Sequence, residues 1–174
     1  MIKIILIVVV LLVGGVLLVA ATRPDALHVE RAADVKAPPE KIFPLINDFH
    51  SWGAWSPYEK KDPAMKRTYT GAAAGKGAIY EWDGNNDVGQ GRMEILESSP
   101  SRIRIKLDFI KPFEGHDIAT FTMKPGGSAT NVTWVMDGPT PFLGKVIGVF
   151  MNMDTMIGTD FADGLSNLKA LAEK

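Results

Sequence analysis

Proton-transfer chemistry needs a carboxylate or imidazole held away from water, and this sequence offers few candidates. Glu81 and Asp83 are two residues apart, so in an extended chain they share one face; Glu94 follows on the next extended stretch. On a dry face their pKa values would rise and suit acid–base work, whereas on a wet face they are a solvated edge. The alternation of Ala78, Tyr80 and Trp82 with Ile79, Glu81 and Asp83 favours the wet face. His116, beside Asp117 at a strand start, is a further candidate general base, against the competing and favoured reading of an exposed turn histidine. His28 and His50 stand alone, and no histidine or carboxylate spacing fits a metal site. The chain has no cysteine, which removes thiol nucleophiles, thiolate metal sites and disulfides. The glycine-rich run Gly71–Gly77 lacks a Ser or Thr after Lys76 and leads into a strand, so it reads as a turn rather than a phosphate loop.

A different chemistry is suggested by the aromatic and methionine residues. Trp52, Trp55, Tyr80, Trp82, Phe113, Trp134 and Phe142, with Met136, Met153 and Met156, form the set with which an apolar ligand would be bound. Methionine adapts its shape and suits a pocket for varied hydrophobes. Taken singly, each of these residues reads more readily as core filling.

The elements that must position them follow from period. Leu27, Val29, Arg31, Ala33 and Val35 alternate with polar neighbours as a first strand. Pro38-Pro39-Glu40 opens a short helix with Ile42, Phe43, Leu45 and Ile46 on its apolar face, and Pro44 predicts a kink or early end. Phe49, Trp52 and Trp55 predict a second short helix ending near Ser56-Pro57. The pattern then shifts to period two, with strands over Met65–Thr70, Ala78–Trp82, Val88–Leu96, Ile103–Ile110, Ile118–Met123 and Asn131–Asp137. Short turns between them predict a meander. From Phe142 to Ala172 the spacing is helical again, predicting one long helix bent or broken near Gly158. The order is α+β: a curved antiparallel sheet of about seven strands wrapped around a long C-terminal helix, plus two short helices.

Composition bounds the rest. Of the 174 residues 46% are hydrophobic, and mean hydropathy is slightly positive at +0.05. The excess lies in residues 1–21, where only Lys3, Gly14 and Gly15 fall outside the hydrophobic class; without them the fraction is about 41%. Residues 4–21 are an uncharged run of about 27 Å as a helix, enough to cross a bilayer. A transmembrane anchor is favoured over a cleaved signal peptide, for which Val19-Ala20-Ala21 offers a site. The expected divisions are 1–21 as anchor, 22–26 as linker and 27–174 as one domain. Flanking charges are nearly balanced, so an extracytoplasmic, periplasmic domain is only the favoured orientation. A net charge of −1 with no basic block argues against a nucleic-acid partner.

Ala37-Pro38-Pro39-Glu40-Lys41-Ile42-Phe43, Asp48-Phe49, Trp52 and Trp55-Ser56-Pro57 resemble the polyketide cyclase/dehydrase and lipid-transport family. That family lies in the START-like, Bet v 1-like (SRPBCC) helix-grip superfamily. Asp62-Pro63-Ala64-Met65, Gly84-Asn85, Gly89-Gln90-Gly91-Arg92-Met93, Val132-Thr133-Trp134 and Asp163-Gly164-Leu165 extend the likeness over roughly residues 27–172. It implies a helix-grip fold, with a cavity between sheet and last helix. It leaves activity open, since such folds serve carriers, receptors and cyclases.

Three functions remain. The first is a membrane-tethered binding module for a lipid, isoprenoid or polyketide-like molecule, needing no cofactor. The second is an accessory subunit docked on a membrane-protein partner. The third is a cyclase or dehydratase using Glu81, Asp83, Glu94 or His116.

Overall fold

The computed structural model describes all 174 residues. Helix α1 (Ile2–Ala21) is long and apolar enough to cross a membrane, and little of it is covered by the rest of the chain. Strand β1 (Ala26–Val35), helix α2 (Pro39–Asn47), a 3-10 helix (Phe49–Ala54) and helix α3 (Pro57–Lys61) follow. Six strands come next: β2 (Lys66–Gly71), β3 (Ala78–Asp83), β4 (Gln90–Ser99), β5 (Arg102–Lys111), β6 (Gly115–Gly126) and β7 (Ala129–Pro139). Helices α4 (Phe142–Phe150) and α5 (Met153–Ala172) end the chain.

The seven strands form one antiparallel sheet in the order β1-β7-β6-β5-β4-β3-β2. The meander from β2 to β7 is the arrangement short hairpins enforce, and β1 closes the far edge against β7. Together with the helix seated on its concave face, this is the helix-grip α+β fold. The inner faces of β3 to β7 meet α2, the 3-10 helix and α5 in a core that includes Trp52, Trp55, Phe121, Trp134 and Phe161. No residue of α1, α4 or β2 belongs to that core.

Two expectations require correction. The predicted last helix is two helices, and the break falls at Met151-Asn152 rather than at Gly158. Met151 is extended, and the Asn152 side chain accepts a hydrogen bond from the Thr155 N–H at 3.1 Å, capping a new helix. Gly158 continues inside α5, where the Arg31 guanidinium occupies the space a Cβ would take. The predicted second short helix is a 3-10 turn followed by the separate helix α3, because Pro57 starts a new helix at its first position. Pro44 sits inside α2, which ends at Asn47.

Candidate functional site

Where α5 lies on the sheet decides where space remains. Its first turn is pinned half-way along β1 by Arg31, whose guanidinium donates to both carboxylate oxygens of Asp154 at 3.0 and 3.1 Å and to the Asp154 carbonyl at 3.0 Å. Its last turn reaches the end of β1, where Lys169 Nζ donates to the Asp34 carbonyl at 2.8 Å and Glu173 accepts from the Lys36 N–H at 2.7 Å. The helix thus grips β1 from Arg31 to Lys36 and leaves the sheet end near Ala26 to other elements. Helix α4, which follows β7 at that end, packs mainly against α1.

At that end one cross-strand row runs Tyr80, Met93, Leu107, Asp117, and then Gly138 and Leu27. The next row inward runs Ile95, Ile105, Ala119, Met136, Val29. Residues of both rows point to the concave side, in phase with the core positions Phe121 and Trp134. Around Asp117 the inward positions are small, Ala119 beside it on β6 and Gly138 on β7. A Cβ at Gly138 would overlap the Asp117 carboxyl. Leu27, Leu107 and Phe109 are only half-buried there. The result is a half-buried apolar end of the sheet that holds one acidic group.

Asp117 is 9% exposed and has no hydrogen-bond partner among the side-chain bonds of the protein. Burial pushes its pKa up to about 6, with a small opposing pull from the adjacent His116. A second unpartnered polar atom lies deeper. The Trp134 indole N–H is buried without an acceptor, its ring stacked on Phe161 at 3.9 Å between centroids. An unmade buried hydrogen bond costs about 1–3 kcal/mol, so an acceptor brought to Trp134 would be stabilised by that amount.

The sequence candidates fall into separate groups. Trp52, Trp55, Tyr80, Trp82, Trp134 and Met136 are buried core residues. Trp52 and Trp55 donate to the carbonyls of Ile46 and Leu45 at 3.0 and 2.8 Å, tying the 3-10 helix to α2. Phe113 at the β5–β6 tip, Phe142 on α4 and Met156 on α5 are exposed, and Met153 is half-buried. Six of the ten residues thus lie in the core, where Trp52 and Trp55 pack on Trp134 and Trp134 on Phe161, and four lie at its edge or on the surface.

Among the acid–base candidates, Glu81 and Asp83 are on the outer, wet face of β3. Glu94 accepts from Arg92 at 2.8 Å, and His116 is exposed with Nδ1 2.8 Å from Asp108. The Asp108 carboxyl is pushed up by burial, but hydrogen bonds from Lys106 and His116 outweigh this and hold it below its usual range. Glu59, buried under α3, serves as a tie. Its two oxygens accept from Arg67 Nε at 2.7 Å and the Tyr80 hydroxyl at 2.6 Å, and burial with this acceptor raises the Tyr80 pKa strongly. No three His, Asp or Glu side chains converge as a metal site. A surface cleft of about 390 Å³ lies between α3 and α5 and is polar, with Lys61 donating to Asp160 at 2.6 Å.

Sequence reasoning missed Asp117 as the buried carboxyl. The usable signal was its phase with Ala119, Phe121 and Met123.

A sequence profile described as polyketide cyclase / dehydrase and lipid transport matches residues 26–173. The chain belongs to this family. The match begins with β1 and ends with α5, leaving α1 outside it. No curated protein matches the chain in sequence. Solved structures similar to this family member include protein CV1439 from Chromobacterium violaceum, 20% identical with a TM-score of 0.59, covering 87% of this chain and 99% of that one. The Aha1 dimer from Colwellia psychrerythraea is 15% identical with a TM-score of 0.61, covering 84% and 96%. The di-domain ARO/CYC protein StfQ of the steffimycin biosynthetic pathway is 12% identical with a TM-score of 0.63, covering 85% of this chain and 51% of that one. At these identities the likeness speaks for the fold.

Proposed function

We propose that the chain is a membrane-anchored binding domain for a small apolar molecule carrying one hydroxyl or amine. The observation that carries this reading is the half-buried apolar end of the sheet at the β1 start, with Asp117 as its one carboxyl lacking a side-chain partner; the ligand would lodge in a hollow beside it. Apolar walls supply affinity through burial, at about 25 cal/mol per Å² removed from water. Asp117 supplies orientation, accepting from the ligand's polar end when ionised and donating when protonated. The family description, which includes lipid transport, supports a hydrophobic ligand of the lipid, isoprenoid or polyketide kind. Helix α1 supports a tether that holds the domain where such molecules dissolve.

A second reading, catalysis of the cyclase or dehydratase type, is favoured by the same carboxyl. A group titrating at about 6 exchanges protons near neutral pH. With Asp117 as the one candidate in the hollow, binding stands first.

Full-length protein purified in lipid nanodiscs tests both readings by native mass spectrometry with analysis of the released molecules. The expected result is a hydrophobe bound one-to-one and lost in Leu107→Trp, which enlarges a half-buried side chain beside Asp117. Wild-type spectra without any hydrophobe bound one-to-one would overturn the proposal. A chemically altered product that disappears in Asp117→Asn would instead assign catalysis.

A further inference from the structure

Helix α4 is the least explained element of the chain. Its sequence, FLGKVIGVF, holds one charge among nine residues, yet none of its side chains is buried. Phe142 is 52% exposed and Phe150 72% exposed, with Leu143 and Met151 open beside them. Leaving such side chains in water forgoes about 1.5–3 kcal/mol each. A polar face is also missing, because the single charge, Lys145, is turned away to pair with Asp25 in the linker after α1.

The partner of α4 indicates what covers the rest of it. Helix α4 packs on α1, and the shielded positions of α1 are Gly14, Val16 and Ala20, all within its last two turns. Those turns belong to the apolar stretch itself. A helix lying against them sits up to about 10 Å below the end of the span, the depth at which interfacial helices rest. The Lys145–Asp25 pair then marks the water level, a cation reaching up from a shallow helix to an anion outside. A second feature lies at the same end of the sheet. The β5–β6 hairpin turns beside the start of β1, as the pairings Phe109 with Gly115 and Ala26 with Pro139 require. Its tip exposes Ile110 and Phe113.

We propose that α4 and the β5–β6 tip form a second membrane contact, with α4 lying at the headgroup–acyl boundary of the bilayer that α1 crosses. This rests on the reading of α1 as an anchor and deepens the binding proposal. It turns the half-buried end of the sheet, with Leu27, Leu107 and Asp117, towards the lipid. An apolar ligand then passes between bilayer and hollow without crossing water.

The absence of cysteine gives a clean background for the test. Full-length variants Phe150→Cys, Phe113→Cys, Leu11→Cys and Ser128→Cys each carry one environment-sensitive NBD label. They are reconstituted in phosphatidylcholine–phosphatidylglycerol vesicles with or without nitroxide-bearing lipids. All four side chains are exposed, so the substitutions leave the core intact. Labels at 150 and 113 are expected to show blue-shifted emission that a shallow nitroxide quenches. The label at 11 should be quenched by a deep nitroxide, and that at 128, on the opposite end of the sheet, by neither. Quenching at 11 with labels 150 and 113 as wet as 128 overturns the second contact while the anchor stands. No quenching at 11 removes the anchor and the second contact together. A label at 150 that is dry but unquenched, with disulfide-linked dimers of unlabelled Phe150→Cys, assigns the face to a second copy and also overturns the proposal.

Discussion

A carboxyl group that faces the concave side of a sheet without a partner costs the fold stability whenever it is ionised. For Asp117 the raised pKa of about 6, against an ordinary 3.8, means the folded chain holds a proton that the unfolded chain gives up. Stability from this group is therefore highest below about pH 4, falls as pH rises through 4 to 6, and levels off above. The size of the fall is up to about 3 kcal/mol, at 1.36 kcal/mol per pKa unit. Asp117→Asn is expected to melt higher than wild type at pH 8 and equally at pH 4, read by thermal denaturation of the full chain in detergent. Equal melting at both pH values would show a well-solvated carboxyl. Gly138 tests the same contact from the other side. Gly138→Ala is expected to cost about 1–3 kcal/mol by forcing a methyl onto the carboxyl, and much less in an Asp117→Ala background. Such coupling was readable only in part from the sequence. Alternation puts Asp117 on the apolar face just as it puts Glu81 and Asp83 on the wet one, but nothing local announces that Gly138 stands across from it.

At the scale of elements, Glu59 shows how a short helix is held. Helix α3 has five residues, too few to be stable alone, and its buried carboxylate joins it to β2 through Arg67 and to β3 through Tyr80. Glu59→Ala leaves the Arg67 charge without its counter-ion, and Arg67 Nε and the Tyr80 hydroxyl without their acceptor, and is expected to cost about 3–5 kcal/mol. Tyr80→Phe removes one hydrogen bond and is expected to cost about 1 kcal/mol. Denaturant titration of both variants checks the ratio, and equal losses would mean the ion pair contributes nothing. The strands were legible because period two and turn residues agree from Met65 to Asp137. The helices were less so. Apolar spacing runs unbroken through Met151-Asn152, and the break comes from an Asn side chain capping a backbone N–H, which periodicity does not register. Helix α3 was hidden for a similar reason, since its lock is a contact between residues distant in sequence.

The whole molecule divides into a packed core and apolar surfaces that lie outside it. The core draws on residues from Val29 to Ala172 and on none from α1, so a chain starting at Thr22 retains everything that folds the sheet. Removing α1 also uncovers the side of α4 that packed on it, adding to the exposed Phe142, Leu143 and Phe150. Full burial of three such side chains is worth roughly 5–9 kcal/mol before the cost of immobilisation, enough for reversible membrane binding without an anchor. The released domain is therefore expected to fold, to sediment with neutral phosphatidylcholine vesicles, and to do so equally at 0.1 and about 1 M salt. Apolar insertion is unscreened, whereas attraction between charges fades as the Debye length shrinks to about 3 Å. Phe142→Ser with Phe150→Ser should leave the folded domain in the supernatant. A released domain that stays monomeric and unbound at every lipid concentration would mean that α4 is satisfied in water, and would overturn the second membrane contact.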